Sequence, residues 1–202
     1  MRIVTYIILA ILVLVYFSPI NFYNTGLELL DYQLRAFYHA NLTHLLANSI
    51  SLLALSSMED VMGSPQYLVM IVFIWLVSST VLYLIHKFFP SRKVYTVGFS
   101  GVIFGMMVVY FTMLSSNAMF AVGGLVISIL PQLFIPGISW EGHLAGIVAG
   151  LIYILIFPTK GKFTGKSQSL LGFDMNKLKP QAWVAKVLPR TGKLKPPGAP
   201  QV

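Results

Sequence analysis

The sequence predicts an all-α membrane protein, a bundle of six transmembrane helices followed by a flexible basic tail. Three observations predict it. Of 202 residues, 56% are hydrophobic and only 10% are charged, with a mean hydropathy of +0.78, where a soluble domain carries about 25% charged residues. The apolar residues gather into runs near the length of a spanning helix, separated by short polar breaks. The net charge of +8 is confined to one end. Residues 1–157 balance five basic side chains (Arg2, Arg35, Lys87, Arg92, Lys93) against five acidic ones (Glu28, Asp31, Glu59, Asp60, Glu141), whereas residues 158–202 set nine Lys/Arg against Asp174 alone. Cysteine is absent, which excludes disulfide scaffolds, thiolate metal sites and cysteine nucleophiles. The apolar content excludes disorder across the chain, and no Gly-X-Y period indicates a collagen-like rod.

The elements follow in order. A spanning helix needs about 20 mostly apolar residues. The first run, Ile3 to Phe17, closes at Ser18-Pro19 and lacks the small-x-small cleavage pattern of a signal peptide. The second is His44 to Ser57 and the third Gln66 to Ile85. No charge falls in the 47 residues between Lys93 and Glu141, which leaves room for two spans joined at Ser115-Ser116-Asn117. The sixth runs from about His143 to Phe157 and stops at Pro158. The membrane domain is therefore expected over 1–158 and the tail over 159–202. Six Pro and five Gly in residues 158–202 predict an irregular tail, in which Ala182 to Leu188 with Trp183 could rest on the membrane interface.

Six spans place both termini on one side, and the basic tail makes that side cytoplasmic. Ten Lys/Arg then lie inside (Arg2 and nine in the tail) and four outside, three of them in the third loop, which runs against the rule. The predicted protein is multi-pass, sits in the cell membrane and meets anionic lipid through its tail. Nucleic acid is not an expected partner, because nothing in the tail resembles a base-reading module.

Polar side chains inside spans act as helix glue or carry function. Three clusters occur: His39, His44 and Asn48 at the start of the second span; Gly98-Phe99-Ser100-Gly101, with Gly105, at the start of the fourth; and Gly142-His143, with Gly146 and Gly150, at the start of the sixth. With the N-terminus inside, every even-numbered span begins on the outer face. The clusters therefore share one level in the outer half of the membrane. At 100° per residue, His44 and Asn48 lie about 40° apart on one helical face, while His39 lies about 140° from His44. Ser100 and Phe104 share a face, as do His143 and Gly150. Glycines four apart (Gly101 and Gly105, Gly146 and Gly150) allow two helices to touch and would bring Ser100 to His143.

Taken singly, each feature has a structural reading: Ser as packing glue, His satisfied at a helix end, Asn48 as a polar clamp, Glu59 and Asp60 as solvated or capping residues. Their joint placement points to chemistry. A Ser within hydrogen-bond reach of a His is the minimal arrangement for nucleophilic acyl transfer. A triad needs a carboxylate behind the His, and none is well placed: Glu59 and Asp60 fall on the inner side, and Glu141 is about 200° around the helix from His143. The expectation is a Ser–His dyad with the imidazole oriented by packing. His44 and Asn48 lie at the depth of an oxyanion, and the fourth helix adds free backbone N–H groups around Ser100.

These residues resemble the motifs of the rhomboid family of intramembrane serine proteases, in its prokaryotic six-span type. Three motifs carry the resemblance: His39-x4-His44-x3-Asn48; Gly98-Phe99-Ser100-Gly101 with Phe104 and Gly105; and His143 with Gly146 and Gly150. Glu59 followed by Gly63-Ser64 is similar to the family pattern as well. The resemblance implies Ser100 as nucleophile and His143 as general base and then acid. It implies His44, Asn48 and the Ser100 N–H as the oxyanion hole, Phe104 stacked beneath His143, and His39 as structural. It implies a substrate that is another protein's transmembrane helix, cut near its outer end, often after a small residue. Helix five and the outer loops would gate access, and no metal or cofactor is implied. The chain departs from the family at Gly142, where many members have Ala and where looser packing is expected. Its first loop, about Ile20 to Tyr38, is short and lacks the Trp-Arg element often found there.

Two other classes of function compete. A rhomboid-like scaffold would bind spanning helices without cutting them, and the intact dyad argues against it. A small transporter or proton channel could relay protons through His39, His44 and His143, but no inverted repeat joins the halves and no acid lies mid-span. A zinc site is weaker still, with no His/Glu motif.

Overall fold

The computed structural model describes residues 2–18, 24–89, 96–114, 118–134, 139–157, 169–170 and 173–174. The chain divides into two units, Met1–Ser167 and Gln168–Val202. The first is helical: α1 (Ile3–Phe17), α2 (Glu28–Arg35), α3 (Leu42–Leu55), α4 (Ser57–Met62), α5 (Ser64–Phe88), α6 (Ser100–Leu114), α7 (Ala118–Ile129), a 3-10 turn (Leu130–Phe134) and α8 (Trp140–Ile156). In the second, β1 (Ser169–Leu170) pairs antiparallel with β2 (Phe173–Asp174). These two-residue strands lie in the tail that is expected to be largely irregular. The reading of Ala182 to Leu188, the turn at Ser115 to Asn117 and the stop at Pro158 fall outside the described residues.

Each predicted run coincides with a helix: α1, α3, α5, α6, α7 and α8. The bounds shift by a few residues because caps, not hydropathy, set them. Asn41 starts α3 by accepting the His44 N–H at 2.8 Å, and Ser139 starts α8 by accepting the Gly142 N–H at 3.3 Å. Pro65 in the first turn of α5 fits where a helix has no use for its N–H. α5, with 25 residues, is long and apolar enough to cross a membrane by itself, and α1, α6 and α8 are apolar helices of 15, 15 and 17 residues.

α6 is central, touching α3, α5, α7 and α8. Its contact with α8 is closest because glycine faces glycine. A Cβ on Gly101 would stand 2.9 Å from the Gly142 carbonyl oxygen, and one on Gly105 would stand 2.8 Å from that of Gly146. A Cβ on Gly146 would overlap the carbonyl of Gly101 outright. Around this seam Met70 and Ile74 of α5, Val102 and Met106 of α6, and Ala145 and Ala149 of α8 are buried. Large apolar side chains also point outward. Leu14 is 70% exposed, Ile50 60% and Leu155 81%, a surface suited to lipid rather than water.

Two short helices were not foreseen. α2 lies in the first loop and packs on α5. Trp75 of α5 donates Nε1–H to the Gln33 carbonyl at 2.8 Å, Phe37 meets Trp75 edge-on at 5.1 Å, and the Tyr32 hydroxyl bonds His86 Nδ1 at 2.9 Å. The first loop is thus anchored by a Trp that α5 supplies, in place of one of its own. Asp31 is held below the usual carboxylate range by the Thr25 N–H and then the Thr25 hydroxyl.

Of the two readings of Glu59 in α4, solvated or capping, the structure shows capping. Its side chain is 2% exposed and caps a different helix: it accepts the N–H groups of Val4 and Thr5 at 2.8 and 3.0 Å, the Thr5 hydroxyl at 2.8 Å and the Ser64 hydroxyl at 2.7 Å. Asp60 is exposed and pairs with Arg2 at 2.8 Å.

Candidate active site

The first residue of α6 is Ser100, so its side chain stands where the helix presents unpaired N–H groups and the positive end of its dipole. The chain reaches this point through Gly98 at φ +114°, a region that disfavours side chains. A Cβ on Gly98 would also lie 2.5 Å from Cε1 of His44, so the glycine makes room for that ring. The Gly98 N–H donates to the Arg35 carbonyl at 3.1 Å, tying this corner to the first loop.

The glycine seam carries α8 against α6 and sets His143 Nε2 2.9 Å from Ser100 Oγ. Phe104, one turn after Ser100, stacks on the His143 ring at 4.3 Å and 12°. Thr96 and Ser139 join their hydroxyls at 2.7 Å, linking the approach to α6 with the cap of α8. At Gly142 an added Cβ would stand 3.2 Å from Thr96 Cγ2 and 3.4 Å from Ser139 Oγ. Glycine here therefore accompanies tight packing, contrary to the looser packing expected.

From the facing helix α3, His44 and Asn48 line the same cavity as Ser100, Phe104 and His143, a space of about 690 Å³. Asn48 is buried and donates Nδ2–H to the His44 carbonyl at 3.0 Å. An amide nitrogen has two N–H groups, so one remains for a ligand. His39 lies outside α3 and packs its ring edge-on against His44 at 5.2 Å, buried behind it. All the site residues named from the sequence thus gather around one cavity or its packing: Ser100, His143, His44, Asn48 and Phe104 on the wall, His39 behind the His44 ring, Gly98 against that ring, and Gly101, Gly146 and Gly150 where backbones meet.

One residue was missed. His143 Nδ1 is hydrogen-bonded to Oε1 of Gln132, from the 3-10 turn that follows α7. The imidazole is oriented by a partner as well as by packing. Gln132 gave no signal in the sequence, since a lone Gln after Pro131 at a helix end reads as an interfacial polar residue.

Arranged in this way, the hydroxyl, the imidazole and the donors opposite them can carry out acyl transfer. Residues 27–160 match the sequence profile of a family described as the rhomboid domain. A protein of Acanthamoeba polyphaga mimivirus, provisionally named a rhomboid protein, is 57% identical over 158 residues, which is 78% of this chain and 92% of the viral protein. The mitochondrial rhomboid-like protein 14 of Arabidopsis thaliana is 36% identical over 150 residues, 65% of this chain and 43% of the plant protein. An uncharacterized protein of Mycobacterium leprae is 29% identical over 139 residues, 60% of this chain and 54% of the mycobacterial one. These relatives come from a virus, a plant and a bacterium, so the likeness is to the family and not to its prokaryotic type in particular.

Proposed function

The chain belongs to the rhomboid family of integral membrane proteins, and from that premise we propose that it is an intramembrane serine endopeptidase. One observation carries the reading: a Ser100 hydroxyl 2.9 Å from His143 Nε2. The hydroxyl lines a cavity that His44 and Asn48 line as well.

In the proposed reaction Ser100 Oγ attacks the scissile carbonyl carbon as Nε2 of His143 takes its proton. The oxyanion is held by the Ser100 N–H, the remaining Asn48 N–H and His44. The C–N bond breaks, and the imidazolium gives its proton to the departing amine. Water then attacks the acyl-enzyme, its proton passes to Nε2, and Ser100 leaves with that proton restored. The substrate is a transmembrane helix of another protein, cut near its outer end. The proposed topology has six spans, both termini cytoplasmic and the cavity open to the outer face of the cell membrane.

The test is cleavage of a labelled transmembrane substrate in proteoliposomes. Wild type is expected to cut, with product lost in Ser100→Ala and in His143→Ala. A fluorophosphonate should label wild type and not Ser100→Ala. Undiminished cleavage in Ser100→Ala overturns the reading, and absence of labelling in the wild type favours a scaffold.

A further inference from the structure

A neutral imidazole carries one proton, on Nδ1 or on Nε2. Only the Nδ1–H form offers Ser100 a lone pair on Nε2. The stack on Phe104 fixes the plane of the ring, but a stack is blind to which nitrogen holds the proton. The usual solution is a carboxylate behind the ring, and here the group behind the ring is an amide.

The amide's own orientation is set by a second bond. Gln132 Nε2 donates to the Ser128 carbonyl, one turn back, at 3.1 Å. That places the NH2 group toward α7 and leaves Oε1 toward His143 Nδ1. A carbonyl oxygen only accepts, so Nδ1 must be the donor, and Nε2, 2.9 Å from Ser100 Oγ, is left as the acceptor. We propose that Gln132 is a positioning residue, whose amide oxygen accepts the Nδ1–H of His143 and selects the tautomer that can take the proton of Ser100. An amide does this without placing a charge beside the ring. It also puts the orienting group on a third element, separate from α6 and α8, which carry the reacting pair. The inference deepens the protease reading and rests on the roles given there to Ser100 and His143.

The test uses the full chain in lipid nanodiscs, labelled with 15N-histidine. The sequence has four histidines (His39, His44, His86 and His143), and the His143 signals are assigned by their loss in His143→Ala. In wild type, at a pH where the ring is neutral, its 15N shifts should report protonated Nδ1 and bare Nε2. Gln132→Leu should move the population toward the Nε2–H form, and should slow both fluorophosphonate labelling and kcat by about 10–100-fold with KM unchanged. Gln132→Glu keeps an acceptor oxygen but not the bond to Ser128, and should retain the Nδ1–H form and most of the labelling rate. An Nδ1–H ring with wild-type labelling in Gln132→Leu overturns the proposal. So does an equal loss in Gln132→Glu and Gln132→Leu, which would mark Gln132 as a packing residue. A wild type that shows the tautomer shift on Gln132→Leu yet never labels would keep the positioning role and sink the protease reading instead.

Discussion

Asn48 is the side chain whose role separates binding from chemistry most cleanly. Its buried amide already spends one N–H on the His44 carbonyl, so its folding contribution is about 1 kcal/mol. Under the protease reading its other N–H stabilises charge that exists only in the transition state. Asn48→Ala is therefore expected to lower kcat on a transmembrane substrate by about 10²–10³, with KM and thermal stability changed far less. At this scale the sequence was legible where residues share an element. His44 with Asn48, and Ser100 with Phe104, are each four apart on one helix, and periodicity places them on one face. Gln132 was not legible, because its partner His143 is on another helix and the intervening residues impose no period that relates the two.

The seam between α6 and α8 decides whether the reacting pair meets at all. A β-carbon at Gly146 has nowhere to go, since it falls on the backbone carbonyl of Gly101, and backbone cannot move aside as a flexible side chain can. Gly124 in α7 is open, with nothing among the described residues within 4 Å of an added Cβ. Gly146→Val is expected to cost about 1–3 kcal/mol or more by overpacking and to abolish labelling of Ser100. Gly124→Ala should leave both labelling and melting temperature close to wild type. Glycines four apart foretold this contact, whereas α2 left no mark at the level of elements. Eight residues with mixed charge, Glu28–Arg35, are too short to span and too polar to stand out. They are held against α5 by Trp75, which bonds the Gln33 carbonyl, and by Tyr83 and His86, which meet the Tyr32 side chain. Tertiary contacts of that kind are invisible to a scan for hydrophobic runs.

Across the whole membrane unit, α1 precedes the segment that matches the family, which begins at residue 27. Glu59 is what clasps its N-terminal end. Helix N-termini leave their first N–H groups unpaired, and inside a membrane protein such groups need partners. Glu59 supplies two oxygens to Val4, Thr5 and Ser64 at once. Burial works against its charge, yet these hydrogen bonds outweigh burial and hold the carboxyl below its ordinary value of 4.5. A carboxyl that is more acidic folded than unfolded stabilises the fold at neutral pH. That stabilisation is lost as the pH falls below about 4.5 toward the lowered value. Glu59→Gln can replace only part of this, because an amide accepts through one oxygen and carries no charge. The variant should melt below wild type at pH 7, followed by tryptophan fluorescence in detergent. The gap between the two should then close as the pH is lowered through that window, because Glu59 becomes neutral in the wild type as well. Other acids, Asp31 among them, titrate in the same range, but they do so in both proteins and cancel in the difference. A gap that stays constant from pH 7 down to about pH 3 would mean that shape rather than charge makes the clasp.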